Sequence, residues 1–286
     1  MTVPLVNLES YDLLQMEMKA EHLDGLHALS ASIGWPHRKS DWGVNLAAGN
    51  GIVAVDESGR VHGSAMYFTL GGDVSAVGMV IAHPRLKLEG LATCLMANIV
   101  ERTEDRPAFL NACNDSVPFY RSLGALVTGP VFQHQGIVGP ISASKTRTRP
   151  AEATDLPQIF DCDADAHGVD RSALLLELWR VSETMVIERR GRIRGFAMRR
   201  QFGRGHLIGP IIAEKEVDAV ALVEAFLTGL PGSFVRVDTR VEYGLFRQYL
   251  EKSGLLPVMN VVTMTLGRLP SRGSNAVFGL SSHSTG

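Results

Sequence analysis

The sequence predicts an α/β protein made of two like domains, and three observations carry that prediction. The chain has 286 residues, which exceeds a typical small single domain and fits two of roughly 130–150 residues each. Hydrophobic residues make up 45% of it and charged residues 20%, enough apolar material for two cores. The same order of elements also runs twice along the chain, at a spacing of ~140 residues: two helices, a hairpin, a strand, a helix, a strand, a helix and a strand.

In the first half, Leu23, Leu26, Leu29 and Ile33 recur at helical spacing and predict a helix over 17–32. The stretch from Gly34 through Trp35, Pro36, His37 and Arg38 ends it, and Ser40 or Asp41 caps a second short helix. Residues 51–68 are two β-rich runs around Asp56-Glu57-Ser58-Gly59, a hairpin signal. A strand over 75–83, an amphipathic helix over 91–104, a strand over 108–113, a short helix over 116–124 and a closing strand over 125–136 follow. The second half repeats this with helices over 155–165 and 171–180, a hairpin over 183–201 turning at Arg190-Gly191-Arg192, and a strand over 205–213. It ends with a helix over 216–230, a strand over 233–240, a helix over 243–254 and a strand over 255–268.

These patterns divide the chain into a first domain over 1–138, a linker over 139–149, a second domain over 150–268 and a tail over 269–286. The linker is polar, basic and bracketed by Pro140 and Pro150. The tail is rich in Ser and Gly and is expected to be loose.

A formal net charge of −2 offers no field that recruits nucleic acid. The arginines at 189, 190, 192, 194, 199 and 200 read as a solvated hairpin. Cys94, Cys113 and Cys162 are an odd, sparse set without metal spacing, which argues against a disulfide framework and fits a reducing compartment. The first residues lack a basic stretch followed by an apolar run. No apolar run reaches the ~18–20 residues that span a membrane. A cytoplasmic location, no membrane partner and no bound metal are therefore expected.

The chemistry centres on Met79-Val80-Ile81-Ala82-His83-Pro84, followed by Lys87-Leu88-Glu89-Gly90-Leu91-Ala92. A buried strand ends at a proline and enters a helix through small residues. Such a helix mouth lets a phosphate approach free N–H groups, helped by the helix dipole. Asn111 leads into Ser116-Val117-Pro118-Phe119-Tyr120-Arg121-Ser122-Leu123-Gly124. The two segments together resemble the GNAT superfamily of acetyl-CoA-dependent N-acetyltransferases. The first resembles its Val-x-Pro strand and its Arg/Gln-x-x-Gly-x-Gly/Ala loop, with Lys87 at the basic position and Glu89 where a basic or neutral residue is usual. The second resembles its Phe-Tyr-x-x-x-Gly segment. The resemblance covers about 15–136, and 147–268 is similar to a second GNAT-like domain. There Asp163, Gly168, Asp170, Arg171, Gly195-Phe196, residues 208–213, Asp238 and Gly254 match. No glycine opens its helix at 214–219, and acidic residues crowd it.

The resemblance implies two tandem GNAT-like domains, each a mixed, mainly antiparallel sheet flanked by helices. It implies acetyl-CoA as co-substrate, held by Val80, Ile81 and Ala82 through their strand edge, by residues 87–92 at the pyrophosphate, and by Asn111. In the family this strand splays from its neighbour to admit the pantetheine arm. Tyr120 is implied as the acid that protonates the departing thiolate. Trp35, His37 and Trp42 are expected to line the acceptor side, with Asp163 and Asp238 as contacts for a cationic acceptor. Asp73, His83 and His37 are candidate bases. The expected activity is acetylation of a small-molecule amine by direct attack in a ternary complex, with a second copy of the chain in a homodimer as an optional partner. A non-catalytic acyl-CoA or metabolite sensor and a protein-modifying acetyltransferase are the alternatives.

Overall fold

A computed structural model describes residues 5–8, 11–86, 90–104, 106–141 and 148–286. Contacts divide the chain into unit 1, Met1–Ala108, and unit 2, Phe109–Gly286.

Unit 1 opens with strands β1 (Leu5–Leu8) and β2 (Tyr11–Glu17), a hairpin the sequence pattern had not disclosed. Its strand residues therefore extend to Glu17, and helix α1 begins only at Leu23 and ends at Ser32. Helix α2 (Lys39–Ala48) starts where Asp41 accepts a hydrogen bond from the Arg38 backbone N–H at 2.8 Å. Strands β3 (Asn50–Val55) and β4 (Val61–Leu70) form the expected hairpin. Its turn is tied by Asp56, whose Oδ1 accepts from the Ser58 N–H at 2.9 Å and the Arg60 N–H at 3.1 Å. Strand β5 (Val74–Ala82) pairs antiparallel with β4. Helix α3 (Leu91–Thr103) buries Leu91, Leu95, Met96, Ile99 and Thr103, the face set by 3.6-residue periodicity, against β4 and β5.

Unit 2 begins in strand β6 (Ala108–Ala112) and continues with helix α4 (Val117–Ser122) and strand β7 (Leu126–Ile137). Strand β8 (Arg149–Pro150), helices α5 (Leu156–His167) and α6 (Ser172–Val181), and strands β9 (Ser182–Arg189), β10 (Arg192–Phe202) and β11 (Gly205–Ala213) follow. Helix α7 (Glu216–Leu227), strand β12 (Phe234–Thr239), helix α8 (Leu245–Lys252), strand β13 (Leu256–Leu266) and strand β14 (Ala276–Gly279) complete it. The strand order is β6-β13-β7-β12-β11-β10-β9-β8, with β14 added to β11. Helix α8 shows how sequence becomes packing: Phe246 and Leu250, four apart, are fully buried, while Arg247 and Glu251 bond at 2.8 Å on another face. Burying each large apolar side chain of this kind contributes about 2 kcal/mol.

The last strands of the two sequence halves are interleaved. β7, expected to close the first sheet, lies between β13 and β12 and is antiparallel to both. Compactness consequently changes at 108/109 rather than at the composition boundary near 139. Strand partners are non-local, and no periodicity within β7 encodes which neighbours it takes.

The tail is the clearest departure from expectation. Instead of being loose, residues 276–279 form β14, and Leu280 and Ser281 are fully buried. β11 and β12 pair in parallel only at His206↔Val235 and Leu207↔Arg236. Beyond that point β14 takes the edge of β11, with Ile211↔Gly279 and Ala213↔Ala276 in register, and the Leu280 N–H donates to the Asp238 carbonyl of β12 at 2.8 Å. The hydroxyls of this Ser-rich segment satisfy one another: Ser281 Oγ lies 2.7 Å from Thr285 Oγ1, and Ser282 Oγ lies 2.8 Å from Ser284 Oγ. Two buried arginines pin its carbonyls. Arg200 donates to the Ser281 carbonyl at 2.6 Å, and Arg171 donates to those of Thr285 and Gly286 at 3.1 and 2.9 Å. Arg200 is thus a structural lock rather than a solvated hairpin residue. Three more of the hairpin arginines meet acids: Arg189 bonds Asp218, Arg194 bonds Glu214 and Arg199 bonds Glu183.

Gly209 permits the tail's close approach, because a Cβ there would collide with the Leu280 carbonyl. Gly209→Ala should therefore cost about 2 kcal/mol and release residues 276–286. Hydrogen exchange measured by mass spectrometry should rise in this segment before it rises in β10; unchanged protection would refute the wedge.

Candidate active site

Strand β5 carries an irregularity at its functional end. Ser64 pairs with Ile81 but Met66 pairs with Gly78, so β5 holds an extra residue opposite Ala65. Met79 absorbs the slip at φ 52°, in the left-handed region that a methionine rarely enters. The buried Ser64 hydroxyl donates to the Met79 carbonyl at 2.8 Å and helps hold it there. The bulge turns local backbone groups out of the ladder. Beyond it the strand is alternately enclosed and open: Ile81 is buried, while Val80 and Ala82 are partly exposed. The sequence named Val80–Ala82 but carried no sign of the bulge, because Met79 looks like any apolar strand residue.

Helix α3 begins at Gly90, whose φ of 84° favours glycine. Among the described residues no side chain caps this end, and its first turn holds no acidic residue. The first intrahelical bond is donated by Cys94 to the Gly90 carbonyl at 3.1 Å, so the N–H groups of Leu91, Ala92 and Thr93 precede the helical ladder. Apart from its chain neighbours, no described residue comes within 4 Å of a Cβ at Gly90. Uncapped donors, a helix dipole and an open approach suit a phosphate. Lys87, Leu88 and Glu89 lie outside the described residues.

The counterpart in unit 2 is built differently. Helix α7 has Glu216 and Asp218 in its first turn. Glu216 accepts a hydrogen bond from the Phe246 N–H at 2.8 Å, and Asp218 is bonded by Arg189. Two carboxylates in this first turn disfavour an anion there, and β14 takes the edge of β11 where it leaves β12.

Tyr120, on α4, is buried, and its ring meets Phe119 edge-on at 5.0 Å. Burial, reinforced by nearby Cys113, pushes its phenol well above the ordinary tyrosine range. The phenol therefore stays protonated and can give a proton but not serve as a base near neutral pH. Asn111 is engaged within unit 2: its amide donates to the His283 carbonyl at 2.8 Å and its oxygen accepts from the Thr263 hydroxyl at 2.8 Å.

The aromatic loop divides. Trp42 is fully buried with its indole N–H on Ser30 Oγ at 3.2 Å, so it is a core residue and forms no ligand wall. Trp35 and His37 are partly exposed, their rings 5.4 Å apart. Asp238, expected to meet a cationic acceptor, is fully buried and answered by Arg236 at 2.8 Å and His283 at 3.3 Å. Its carboxyl is held well below the usual range by Arg236 and His283 despite the opposing effect of burial. Of the candidate bases, Asp73 is exposed, and His83 lies 5.9 Å, ring to ring, from His62, which in turn meets Asp56 at 2.7 Å. Among the described residues no cluster of His, Cys, Asp and Glu could hold a metal ion, and no helix is long and apolar enough to cross a membrane.

Residues 159–279 match the family described as "Acetyltransferase (GNAT) domain". No curated protein shows significant sequence similarity to the chain. Among solved structures, a putative acetyltransferase from Pyrococcus horikoshii superposes with a TM-score of 0.81 at 15% identity, covering 96% of each chain. A GCN5-related N-acetyltransferase from Sphaerobacter thermophilus gives 0.63 at 15% identity, covering 91% of this chain and 97% of that one. A tandem GNAT protein from the clavulanic acid biosynthesis pathway gives 0.62 at 17% identity, covering 91% and 99%. At these identities the structural likeness establishes the fold. This chain has the GNAT fold, and its residues 159–279 match the model of the GNAT acetyltransferase domain.

Proposed function

We propose that this chain is a tandem GNAT enzyme of the cytoplasm that moves an acetyl group from acetyl-CoA to the amine of a small molecule, using one acyl-CoA site per chain. The domains so paired are those of the sequence reading, 1–138 and 150–268. The uncapped start of α3 is the observation that carries this reading. Its free N–H groups and dipole offer what a pyrophosphate needs, and its first turn holds no opposing carboxylate. The bulge at Met79 supports it by aiming backbone groups where a thioester carbonyl would be polarised. The acid-filled mouth of α7 and the wedge of β14 speak against a second site.

In this reading acetyl-CoA supplies the activated acyl group, the amine attacks it directly, and Tyr120 gives a proton to the departing sulfur. Burial keeps that phenol protonated across the neutral and mildly alkaline range, and donation rests on the thiolate's proximity. Trp35 and His37 border the acceptor side. The second half acts as a scaffold, and homodimerisation is compatible with this scheme.

The test is an acetylation assay over a panel of small amines and peptides, followed by release of free thiol. Gly90→Glu brings a carboxylate to the phosphate position and a side chain to a left-handed φ. It should raise KM for acetyl-CoA by about a hundredfold or more. Tyr120→Phe should lower kcat by about a hundredfold while KM for acetyl-CoA stays nearly constant. Equal kcat would remove Tyr120 from the acid role. Acetyl-CoA binding without turnover of any amine would favour a sensor, and turnover of peptides alone a protein-modifying enzyme.

A further inference from the structure

Arg240 follows the end of β12 and is partly buried. Its Nη1 is fully enclosed and makes no hydrogen bond, and Nη2 has only a 3.4 Å contact with the Thr263 hydroxyl. No carboxylate pairs with it among the described residues. Leaving a guanidinium enclosed without a counter-charge is costly, and folded proteins ordinarily pair such a group.

The surroundings add positive charge. Burial first, then Arg272 and Arg171, lower the Arg240 pKa to about 10. His167 is kept neutral by burial and by the same three arginines, so it brings no compensation. The buried acid of this region, Asp163, is spent on Arg171, which grips both its oxygens at 2.8 and 2.9 Å. Arg240 and Arg272 therefore stand as two unanswered cations. Arg272 is exposed, on a loop whose Ser271 carbonyl packs on Gly168 at the end of α5.

We infer that Arg240 and Arg272 form a receptor for an oxyanion group, a carboxylate or phosphate, with Arg240 Nη1 as the enclosed donor. The receptor is preset by hydrogen bonds. The Thr263 hydroxyl accepts from Arg240 Nη2 and donates to Asn111 Oδ1 at 2.8 Å, while the Asn111 amide is anchored on the His283 carbonyl. This chain of contacts fixes one arm of the guanidinium and leaves the other for the ligand, as a planar fork allows. The sequence pointed the opposite way, toward a cationic ligand met by Asp163 and Asp238. Both carboxylates are consumed by the protein's own cations. The receptor does not depend on acetyl transfer taking place.

The test is titration of the full chain with inorganic phosphate at constant ionic strength, followed by calorimetry and thermal melting. Phosphate should bind and raise Tm in the unaltered protein. Arg240→Gln should weaken binding at least about tenfold, the loss expected for one charge-assisted donor, and Arg240→Lys should retain part of it. Without phosphate, Arg240→Gln should melt no lower than the parent, because it removes an unpaired enclosed charge. Arg272→Gln, at an exposed position, keeps the question answerable if the first variant fails to fold, and it too should weaken binding. No phosphate binding by the parent, or equal binding by Arg240→Gln and Arg272→Gln, overturns the receptor. Kinetics then separate the source of the anion. Phosphate that raises KM for an anionic amine acceptor at constant kcat marks a group carried by the acceptor. Phosphate that binds but leaves that KM unchanged marks a free ion.

Discussion

The first turn of an α-helix presents N–H groups that the helix cannot satisfy, and what meets them decides what each half of this chain can do. At α3 the described residues offer a glycine at φ 84°, no side-chain cap bond and no acid in the first turn. At α7 it places Glu216 and Asp218 there and ties both to neighbouring groups. The two halves share an order of elements and neither helix start makes a side-chain cap bond, yet the first turn of α7 holds two carboxylates and that of α3 none. The divergence of β11 from β12 follows the same logic, since its free strand edge is taken by β14.

The two halves also differ in what surrounds their strand edges. The β11 edge and the buried arginines Arg171 and Arg200 organise the tail, so residues 276–286 become part of unit 2 rather than an appendage. The interleaving of β7 with β12 and β13 ties the last strand of the first sequence half into unit 2. Tyr120 and Asn111, which the sequence assigns to the first domain, thereby share a compact unit with Asp238, Arg240 and the tail. The family match falls on 159–279, the half whose helix mouth is occupied. That match speaks to fold, whereas the features that suit an anion lie at α3 and β5.

Element order was legible because apolar periodicity is local. The spacing of Leu91, Leu95 and Ile99, or of Phe246 and Leu250, declares a helix face without knowledge of its partner. The features that proved silent are non-local. The β1–β2 hairpin, the exchange of β7 and the insertion of β14 depend on which edges are free, and a short segment does not state that. The tail misled by composition: serines and threonines that read as solvated bond one another in the interior. Within the site, Gly90 and Ala92 could be found from residue types, but the bulge at Met79 could not. Trp42 and Asp238 were plausible ligand residues until burial and pairing showed them occupied.

The account stands on one prepared anion-binding helix start in a chain that has two candidates. The most direct test is calorimetric titration of the purified full chain with acetyl-CoA and with desulfo-CoA, read for stoichiometry. The structure predicts micromolar binding at one site per chain for both ligands, because the contacts that matter are to the phosphates and the strand rather than to the sulfur. Two equivalent sites per chain, or no binding at millimolar ligand, would contradict it.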